Sequence, residues 1–533
     1  MRESDSSCNA GFFVFKFGND RELSLNHIKI DLERIVSDID RNIFSGNLEL
    51  GDKDPRFAYL DIGDSPLADK SSLNSDVRSA LERMNLATIR FPGGNFASGY
   101  RWMDGVGPRS GRPTRHDLAW NSMIPNQYGT NEFIRFCRAM KIEPYFCANC
   151  GDGDMREASD WVEYCNGSGD TALANLRRKH GFEAPHNVKY WGIGNEVDSP
   201  GQIGYKTPQE YARAYTEFSK VMKRVDPNIK LIASAVCSWE DNPSHRQAEW
   251  VERTQLMLEQ AGDRIDYISI HRYAHPDSDV SFETYMAFAQ EFNERLSAYE
   301  GLIRAVSLER GIKHHIGMAV DEWGVYRRPA AHNVGKTIPG KRASGLNEKN
   351  LEDTLVVGLC LNAFIRHSYS VRMANYPPMP MGIGINAARP NGPVLLTAAF
   401  YPFELYSHTC GQLALDVFWH GETFSGGYGN RAYSGIRNLD VAATLDAGRK
   451  QLVVYVVNQS KDRAMETTIT LTSGQFTGNV KISVVNGPDV KSENTIEKPN
   501  EVGTNKSDLT VSGKSFTYIF EPHSVTALVC AVN

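Results

Sequence analysis

Short apolar, β-branched runs alternate with longer amphipathic segments over most of the chain. Eight such runs occur between about residues 42 and 408, and each is short enough to be one buried strand. The predicted strands are Asn42–Leu50, Ala87–Phe91, Pro144–Ala148, Lys189–Ile193, Lys230–Ala235, Asp266–His271, Ile316–Val320 and Ser370–Ala374. Because strands that alternate with helices usually pair in parallel, this order predicts an α/β domain.

The segments between these runs carry helix signals. Thr207-Pro208-Gln209-Glu210 is a capping box with proline at the first helical position, and an apolar stripe at helical spacing follows it. Eight strand–helix units predict a closed (β/α)8 TIM barrel over residues 38–408. An open doubly wound sheet is disfavoured, because the first strand runs into Glu49-Leu50-Gly51-Asp52 instead of a glycine-rich phosphate turn.

After about residue 409 the pattern changes to alternating β-branched runs separated by Gly, Asn, Asp and Ser turns. Residues 409–533 are therefore predicted to form an all-β, jelly-roll-like sandwich. The apolar run Phe12–Phe17 lies too far ahead of the barrel to belong to it. We expect one or more strands from residues 1–37 to complete the sandwich.

Composition narrows the class of function. The chain has 533 residues, 41% of them hydrophobic, and a formal net charge of -6 without long single-sign blocks. A nucleic-acid or membrane-surface protein would need a concentrated basic face, so neither partner is expected. No run approaches the roughly 18 apolar residues that span a bilayer. A neutral substrate fits this charge balance better than a polyanion.

The nine cysteines predict a reducing compartment. Their number is odd and most of them lie in apolar runs, which is typical of buried free thiols. Cys147 and Cys150 form a C-x-x-C, but no second pair or histidine cluster accompanies them to make a zinc site. The polar N-terminus lacks the apolar region of a signal peptide, so we expect the protein to be cytoplasmic.

Candidate chemistry lies at the strand ends, because the C-terminal ends of barrel strands meet at one mouth. Strand four ends at Asn195-Glu196 and strand seven at Asp321-Glu322-Trp323, which places two carboxylates on one cleft. Retaining cleavage of a glycosidic bond needs such a pair about 5–5.5 Å apart, one as nucleophile and one as acid/base. A single strand-end glutamate is usually a solvated loop residue, whereas a pair on these strands predicts catalysis.

Several polar and aromatic residues surround this pair. Asn195 can bind a sugar hydroxyl, Tyr273 can orient the nucleophile, and Trp120 and Trp323 can offer flat walls to a sugar. His271 is open to two readings, as a substrate contact or as a donor to a neighbouring side chain.

The first two strands add three candidates. Glu49 can contact substrate or form an ion pair with Arg90, and Arg90 can do both. Gly93 and Gly94 are more consistent with a tight turn that presents Asn95 than with a phosphate site.

These residues resemble the α-L-arabinofuranosidases of glycoside hydrolase family 51. The motifs that carry the resemblance are Arg90–Tyr100, Asp104–Arg109, Asp117–Trp120, Tyr128–Phe133, Trp191–Glu196, Gln202–Gly204, Asp266–His271 and Asp321–Trp323. The match runs from about Ile43 to Tyr406 and continues weakly to Pro522–Thr526.

The resemblance implies a retaining exo-enzyme with Glu196 as acid/base and Glu322 as nucleophile. The implied substrate contacts are Glu49, Arg90, Asn95, Trp120, Asn195, His271 and Tyr273. It implies an oligosaccharide substrate, no metal or organic cofactor, and assembly as a homo-oligomer, commonly a hexamer.

Three departures from the family pattern put the identity of the sugar in question. Leu50 follows Glu49 where the family has histidine, and Gly324 and Tyr326 replace asparagine and tryptophan. The segment Asn375–Ile385 lacks the glutamine with which the family touches the sugar.

The predicted function is release of terminal, non-reducing α-L-arabinofuranosyl residues from arabinan- or arabinoxylan-type oligosaccharides. The first alternative is another retaining specificity, a galactofuranosidase or an endo-β-glucanase. The second is a non-catalytic sugar-binding barrel, which retention of both carboxylates disfavours.

Overall fold

The structure is a computed structural model that describes residues 26–50, 75–237, 250–276, 280–326, 349–378, 385–387, 394–429 and 431–533. The strands in chain order are β1 (Asn26–Asp38), β2 (Ser45–Asn47), β3 (Thr88–Phe91), β4 (Arg115–Asp117), β5 (Ser122–Ile124), β6 (Glu143–Ala148), β7 (Tyr190–Ile193), β8 (Lys230–Cys237), β9 (Tyr267–Ala274), β10 (Gly317–Val325), β11 (Val371–Pro378), β12 (Ile385–Ala387), β13 (Val394–Leu396), β14 (Leu413–His420), β15 (Thr423–Tyr428), β16 (Arg431–Arg437), β17 (Leu439–Leu445), β18 (Gln451–Asn458), β19 (Met465–Leu471), β20 (Phe476–Asn486), β21 (Gly503–Gly513), β22 (Ser515–Phe520) and β23 (Val525–Val532). The α-helices are α1 (Ser75–Met84), α2 (Thr130–Met140), α3 (Met155–Asn166), α4 (Ala172–Lys179), α5 (Pro208–Val225), α6 (Trp250–Ala261), α7 (Phe282–Met286), α8 (Phe288–Arg310), α9 (Leu351–Arg366) and α10 (Phe400–Thr409).

A closed parallel barrel forms the larger part of the fold. Its strands follow the order β10-β11-β2-β3-β6-β7-β8-β9, and these are the eight strands that the apolar runs predicted. Each pair is parallel, and helices cover the outside, as the alternation of strand and helix requires. The predicted TIM barrel is confirmed.

The strand bounds differ from the prediction where the local geometry is irregular. β2 is only three residues long, because Arg41–Ile43 forms a 3-10 turn that Asp40 caps. β9 and β10 run past their predicted ends to Ala274 and Val325, with a shift of register between them. These two extensions carry candidate site residues, so they bear directly on the chemistry.

The capping box predicted at the start of α5 is present. The Thr207 hydroxyl accepts from the Glu210 amide at 3.3 Å, and the Glu210 carboxylate accepts from the Thr207 amide at 2.9 Å. The helix then buries one face, which includes Tyr211, Tyr215 and Phe218, against the barrel and its neighbours. Tyr211 also donates to the carbonyl of Ile193 at the end of β7, which fixes the strand end that precedes Glu196.

The C-terminal part is a sheet of nine strands in the order β21-β20-β23-β18-β17-β14-β1-β19-β22. It folds over an apolar core that includes Ile28, Val454, Ile469 and Leu528, which gives the predicted sandwich. β1 lies inside this sheet, antiparallel to β14 and parallel to β19. The run Phe12–Phe17 lies outside the described residues.

The outer face of the sandwich packs on helices α9 and α10 of the barrel. Gly358 in α9 brings the helix so close that an added Cβ would lie 3.1 Å from side-chain carbons of both Val457 and Val525. The rings of Tyr406 and Tyr455 stack with centroids 4.0 Å apart across the same contact. One continuous apolar core therefore runs through both parts.

A hairpin of β15 and β16 reaches from the sandwich strands back to the barrel. It packs against α7, and the hydroxyl of Tyr428 accepts from the backbone N–H of His275 at 2.9 Å. The guanidinium of Arg272 lies over the Tyr428 ring at 5.5 Å. Since Arg272 belongs to β9 and His275 follows it directly, the hairpin supports the end of that strand.

The cysteines of the C-x-x-C lie in the apolar interior. Cys147 and Cys150 are buried free cysteines, and burial raises the pKa of each thiol to about 11. Neither has the low pKa of a redox-active thiol. None of the helices in the described residues combines the length and the apolar character that crossing a membrane requires.

Candidate active site

Glu196 lies three residues after the end of β7 and has a left-handed backbone, with a φ of 44°. A non-glycine residue adopts this conformation only where the surroundings enforce it, and such residues cluster at functional sites. Here the following loop folds back on itself: the amide of Ser199 donates to the carbonyl of Glu196, and the amide of Lys206 donates to that of Val197. The loop therefore holds a largely buried carboxylate at the mouth of the barrel.

Glu322 lies on β10, and both of its carboxylate oxygens accept hydrogen bonds. Nη1 of Arg90 donates to Oε1 at 2.8 Å, and the Tyr273 hydroxyl donates to Oε2 at 2.9 Å. Burial, followed by the charge of Glu322, raises the pKa of Tyr273 well above its usual value, so this hydroxyl keeps its proton. A cation and a hydroxyl thus hold Glu322 as an oriented carboxylate.

Arg90 lies at the centre of the cluster, with only 1% of its surface exposed. Besides Glu322, its Nη2 donates to Oδ1 of Asn195 at 2.6 Å and its Nε lies 3.6 Å from Oδ2 of Asp321. Its ion pairs are thus with Glu322 and Asp321, while Glu49 accepts from the amide of Phe96 at 3.3 Å.

His271 lies between two carboxylates. Its Nδ1 is 3.0 Å from Oε1 of Glu196, and its Nε2 is 3.4 Å from Oδ1 of Asp321. Burial opposes a charge on this ring, but the charge of Glu322 and the hydrogen bonds with Asp321 and Glu196 outweigh it and raise the pKa of His271 well above its usual value. The imidazolium is therefore a donor to Glu196 on one side and to Asp321 on the other.

Asp321 supports the cluster from inside the barrel. Its carboxylate accepts from the hydroxyls of Tyr145 at 2.8 Å and Ser269 at 2.5 Å. Burial raises its pKa, but the hydrogen bond with His271 and the charge of Arg90 prevail and lower the pKa of Asp321 to about 2. The ionised Asp321 thus pairs with both cations of the site, Arg90 and His271.

Two acidic residues meet at a short distance. One oxygen of Glu196, one oxygen of Glu322 and one ring nitrogen of His271 all lie within 4.8 Å of one another. Three ligand atoms of these types can take part in a metal site. Here, however, Arg90 and Tyr273 already donate hydrogen bonds to the two oxygens of Glu322. The site thus brings two carboxylates close together at the mouth of the barrel.

The turn after β3 brings Glu49 and Glu322 to the same place. Gly93 has a φ of +120°, and a Cβ there would lie 2.4 Å from the Cα of Glu49. A Cβ on Gly94 would lie 2.7 Å from Oε1 of Glu322 and 3.5 Å from Oε1 of Glu49. Both glycines allow a backbone approach that a side chain would block, and the turn presents Asn95, as the sequence predicted.

Asn95 and Asn195 are joined by a hydrogen bond of 3.2 Å from Nδ2 of Asn195 to Oδ1 of Asn95. Six of the predicted contact residues therefore share one site, namely Glu49, Arg90, Asn95, Asn195, His271 and Tyr273.

The two tryptophans proposed as sugar walls lie in different surroundings. Trp120 lies in the turn of the β4–β5 hairpin with 45% of its surface exposed, and the hydrogen bonds above do not involve it. Trp323 is fully buried and packs edge-on against Phe364 and Tyr376, with centroids 4.8 and 4.7 Å away. The prediction that Trp323 forms a sugar wall is wrong, because side chains alternate along β10 and Trp323 faces away from the mouth.

Of the departures from the family pattern, two lie inside the described residues. Leu50 is buried, and Tyr326 places its ring 5.6 Å from that of His275. In the altered segment, which begins within β11, Asn375 is buried and donates to the carbonyl of Gly46. Residues 379–384 lie outside the described residues.

Sequence reasoning missed the inner layer of the site. Asp321, Tyr145 and Ser269 are polar residues inside otherwise apolar strands, and this was the signal that could have revealed them. Cys147 was interpreted as a plain buried thiol, but its Sγ accepts from Nη2 of Arg90 at 3.7 Å.

Two family models match the chain. The α-L-arabinofuranosidase 1 domain matches residues 80–300, and the α-L-arabinofuranosidase C-terminal domain matches residues 321–524. α-L-Arabinofuranosidase C of Emericella nidulans is 34% identical, over 94% of this chain and 96% of that protein. The chain belongs to the α-L-arabinofuranosidases of glycoside hydrolase family 51. It is accordingly a glycosidase.

Other members of family 51 have the same fold and length. The intracellular exo-α-(1→5)-L-arabinofuranosidase 1 of Bacillus subtilis is 31% identical, over 93% of this chain and 97% of that protein. The crystal structure of the α-L-arabinofuranosidase from Thermotoga maritima in its arabinose complex superposes with a TM-score of 0.81 at 34% identity, covering 95% of this chain and all of that one.

The buried charge of Asp321 generates a testable pH dependence. Its pKa is lowered to about 2, from 3.8, so its ionised form stabilises the fold fully above about pH 4 and progressively less as pH falls towards 2. Asp321→Asn removes this contribution and leaves two buried cations, so it should cost about 3–5 kcal/mol near neutral pH. Urea unfolding should show that the difference in unfolding free energy between the native protein and the variant decreases by about 1 kcal/mol from pH 7 to pH 3. A difference that stays constant down to pH 3 would contradict the lowered pKa of Asp321.

Proposed function

We propose that this family 51 glycosidase works by a retaining double displacement, with Glu322 as nucleophile and Glu196 as acid/base. The observation that carries the proposal is the approach of their carboxylate oxygens to within 4.8 Å. A retaining enzyme needs its two carboxyl groups about 5–5.5 Å apart, whereas an inverting enzyme needs about 6.5–9.5 Å to fit a water.

The hydrogen bonds favour this division of roles. Glu322 accepts from the guanidinium of Arg90 and the hydroxyl of Tyr273, which hold one oxygen each and orient the carboxylate. Glu196 has the ring of His271 as its neighbour, with Nδ1 3.0 Å from Oε1. A carboxylate held at both oxygens is oriented for attack on carbon, and the second carboxyl group is placed to transfer a proton.

In the first step an oxygen of Glu322 bonds to the anomeric carbon while Glu196 gives its proton to the departing glycosidic oxygen. In the second, Glu196 takes a proton from water, the water oxygen bonds to the anomeric carbon, and Glu322 leaves with the electron pair. Two inversions restore the original configuration. In the free enzyme Arg90 and Tyr273 donate hydrogen bonds to the Glu322 carboxylate. The same donors are in place to bind this carboxylate again when it leaves the anomeric carbon.

The proposed substrate is an arabinan- or arabinoxylan-type oligosaccharide with a terminal, non-reducing α-L-arabinofuranosyl residue, which is released in exo fashion. Support comes from the shared site of Glu49, Arg90, Asn95 and Asn195 and from the names of the relatives. Trp120 is proposed as a contact of the substrate beyond the central pocket, since its side chain is exposed in the turn of the β4–β5 hairpin.

The remaining proposals concern the context of the chain. We infer a cytoplasmic location from the buried free thiols, and the Bacillus subtilis relative is named intracellular. A homo-oligomer, with a hexamer as the family's common form, is proposed from the resemblance, and light scattering of the purified protein would test it. The division into a barrel of residues 38–408 and a sandwich of residues 409–533, completed from the N-terminal segment, is proposed on the pairing of β1.

The nucleophile can be tested by chemical rescue. Glu322→Ala should lower kcat by at least about 10⁴-fold, because the covalent step is lost. Azide should restore turnover by filling the vacated space, and the glycosyl azide should have the inverted anomeric configuration by NMR. Rescue with retained configuration, or turnover near the native rate without azide, would rule out Glu322 as the nucleophile.

The acid/base can be tested by varying the leaving group. Glu196→Ala should slow glycosylation by about 10²–10⁴-fold for substrates with poor leaving groups, which need the proton. Aryl glycosides with acidic phenols should be almost unaffected in that step, as pre-steady-state bursts would show. An equal loss for good and poor leaving groups would show that Glu196 is not the acid.

Specificity can be tested with a panel of nitrophenyl glycosides. We expect kcat/KM to be highest for the α-L-arabinofuranoside, because a site that reads hydroxyls leaves buried polar groups unpaired with the wrong sugar, at about 1–3 kcal/mol each. Hydrolysis of a β-D-galactofuranoside and of a β-glucan should be at least about tenfold slower. A higher kcat/KM for either would leave the catalytic roles intact and assign the enzyme to that other substrate.

A further inference from the structure

The loop that follows Glu196 carries Gln202, whose side chain reaches the predicted sugar contacts. We propose that Gln202 is a positioning residue that fixes the amide of Asn95, so that Asn95 offers N–H donors to an oxygen of the glycone. The inference rests on the proposed function of the site and concerns one contact within it.

Arg90 determines which atoms donate and which accept in the hydrogen bonds that join Asn195 and Asn95. A guanidinium has only donors, so the atom of Asn195 that receives its Nη2 at 2.6 Å must be the carbonyl Oδ1. The amide nitrogen of Asn195 therefore points the other way and donates to Asn95 at 3.2 Å. Oδ1 of Asn95 must accept this bond, so Arg90 sets the polarity of both amides.

Gln202 supplies a second donor to the same acceptor. Its Nε2 lies 3.1 Å from Oδ1 of Asn95 and 3.2 Å from Oγ of Ser98. A third atom within reach is the carbonyl oxygen of Asn195, at 3.5 Å. Oδ1 of Asn95 and the carbonyl oxygen of Asn195 can only accept, so the amide nitrogen of Gln202 must face them, and the hydroxyl of Ser98 accepts from the same nitrogen.

Close backbone packing holds Gln202 in place. Gly204 has a φ of +73°, and a Cβ on it would lie 2.4 Å from the Cα of Gly151. The amide of Gln202 donates to the carbonyl of Ser199, and the amide of Tyr205 donates to the carbonyl of Gln202. The loop is thus a compact turn pressed onto the neighbouring β6–α3 loop, and its glutamine has little freedom to move.

The fixed orientation of the Asn95 amide restricts which atoms of the sugar it can bind. With Oδ1 occupied by two donors, Asn95 uses none of its N–H groups in these bonds. The glycone atom that meets Asn95 is then a hydroxyl oxygen acting as acceptor. Without Gln202, Asn195 alone would hold Asn95, and the donor presented to the sugar would be less well fixed.

Two substitutions separate this role from space filling. Gln202→Met keeps the length of the side chain and loses the donor, so kcat/KM should fall by about tenfold. Gln202→Glu is closer in shape, but its carboxylate faces two oxygens that can only accept, Oδ1 of Asn95 and the carbonyl of Asn195, and Asn95 cannot rotate because Arg90 fixes Asn195. Its kcat/KM should therefore fall by about a hundredfold at pH 7.

The pH profile gives a readout that a structural role would not change. As pH falls towards about 4.5 the carboxyl introduced by Gln202→Glu gains a proton and can donate again, so its deficit relative to the native enzyme should shrink. The deficit of Gln202→Met should not change with pH. If Gln202→Glu is the milder variant at pH 7, or if its deficit does not depend on pH, the proposal is overturned.

A double-mutant cycle tests whether Gln202 acts through Asn95. Adding Gln202→Met to Asn95→Ala should lower kcat/KM by less than about twofold, because the residue to be positioned is already gone. A full additional tenfold loss would overturn the proposal, and circular dichroism would confirm that each variant is folded. The cycle uses whichever nitrophenyl glycoside the native enzyme hydrolyses fastest, so it remains valid if the sugar is not arabinofuranose.

Discussion

The buried guanidinium of Arg90 is the interaction on which the rest of the site depends. A buried cation needs opposite charge and hydrogen-bond acceptors, and here Asp321 and Glu322 supply the charge while Glu322 and Asn195 accept hydrogen bonds. The same guanidinium holds one oxygen of Glu322 and dictates that the amide nitrogen of Asn195 faces Asn95. Lysine could not replace it, because a single ammonium group lacks the planar fork that reaches three partners at once.

The barrel could be predicted from the sequence because the same pattern, an apolar run followed by an amphipathic segment, occurs eight times in succession. It was weaker at the strand bounds, where β9 and β10 continue to Ala274 and Val325. The apolar runs stop at the first polar residue, but the backbone pairing continues through the polar residues that form the site. The change from apolar to polar side chains therefore located the start of the site correctly. It did not locate the ends of β9 and β10, which lie further along the chain.

The meeting of Glu196 and Glu322 was predictable because the ends of parallel barrel strands converge on one mouth, and their catalytic roles stay a prediction. The site was not predictable where a role depends on which way a side chain faces. Trp323 looked like a sugar platform and is instead fully buried, whereas Asp321 looked like a motif neighbour and instead binds two cations. Alternation along a strand decides such cases, and its phase is set by pairing with distant strands.

The position of β1 has a consequence for how the chain is made. This strand leaves the ribosome early, yet its partner β14 begins at Leu413 and its partner β19 at Met465. At typical rates of synthesis the partners emerge roughly tens of seconds later, after the whole barrel has been translated. During that interval the nascent strand has unpaired edges on both sides, so it is exposed to wrong pairing and depends on chaperones or on its own polar positions for protection. Pairing of β1 is therefore a late event in folding, because the strand must enter a sheet made from strands that follow the whole barrel in the chain.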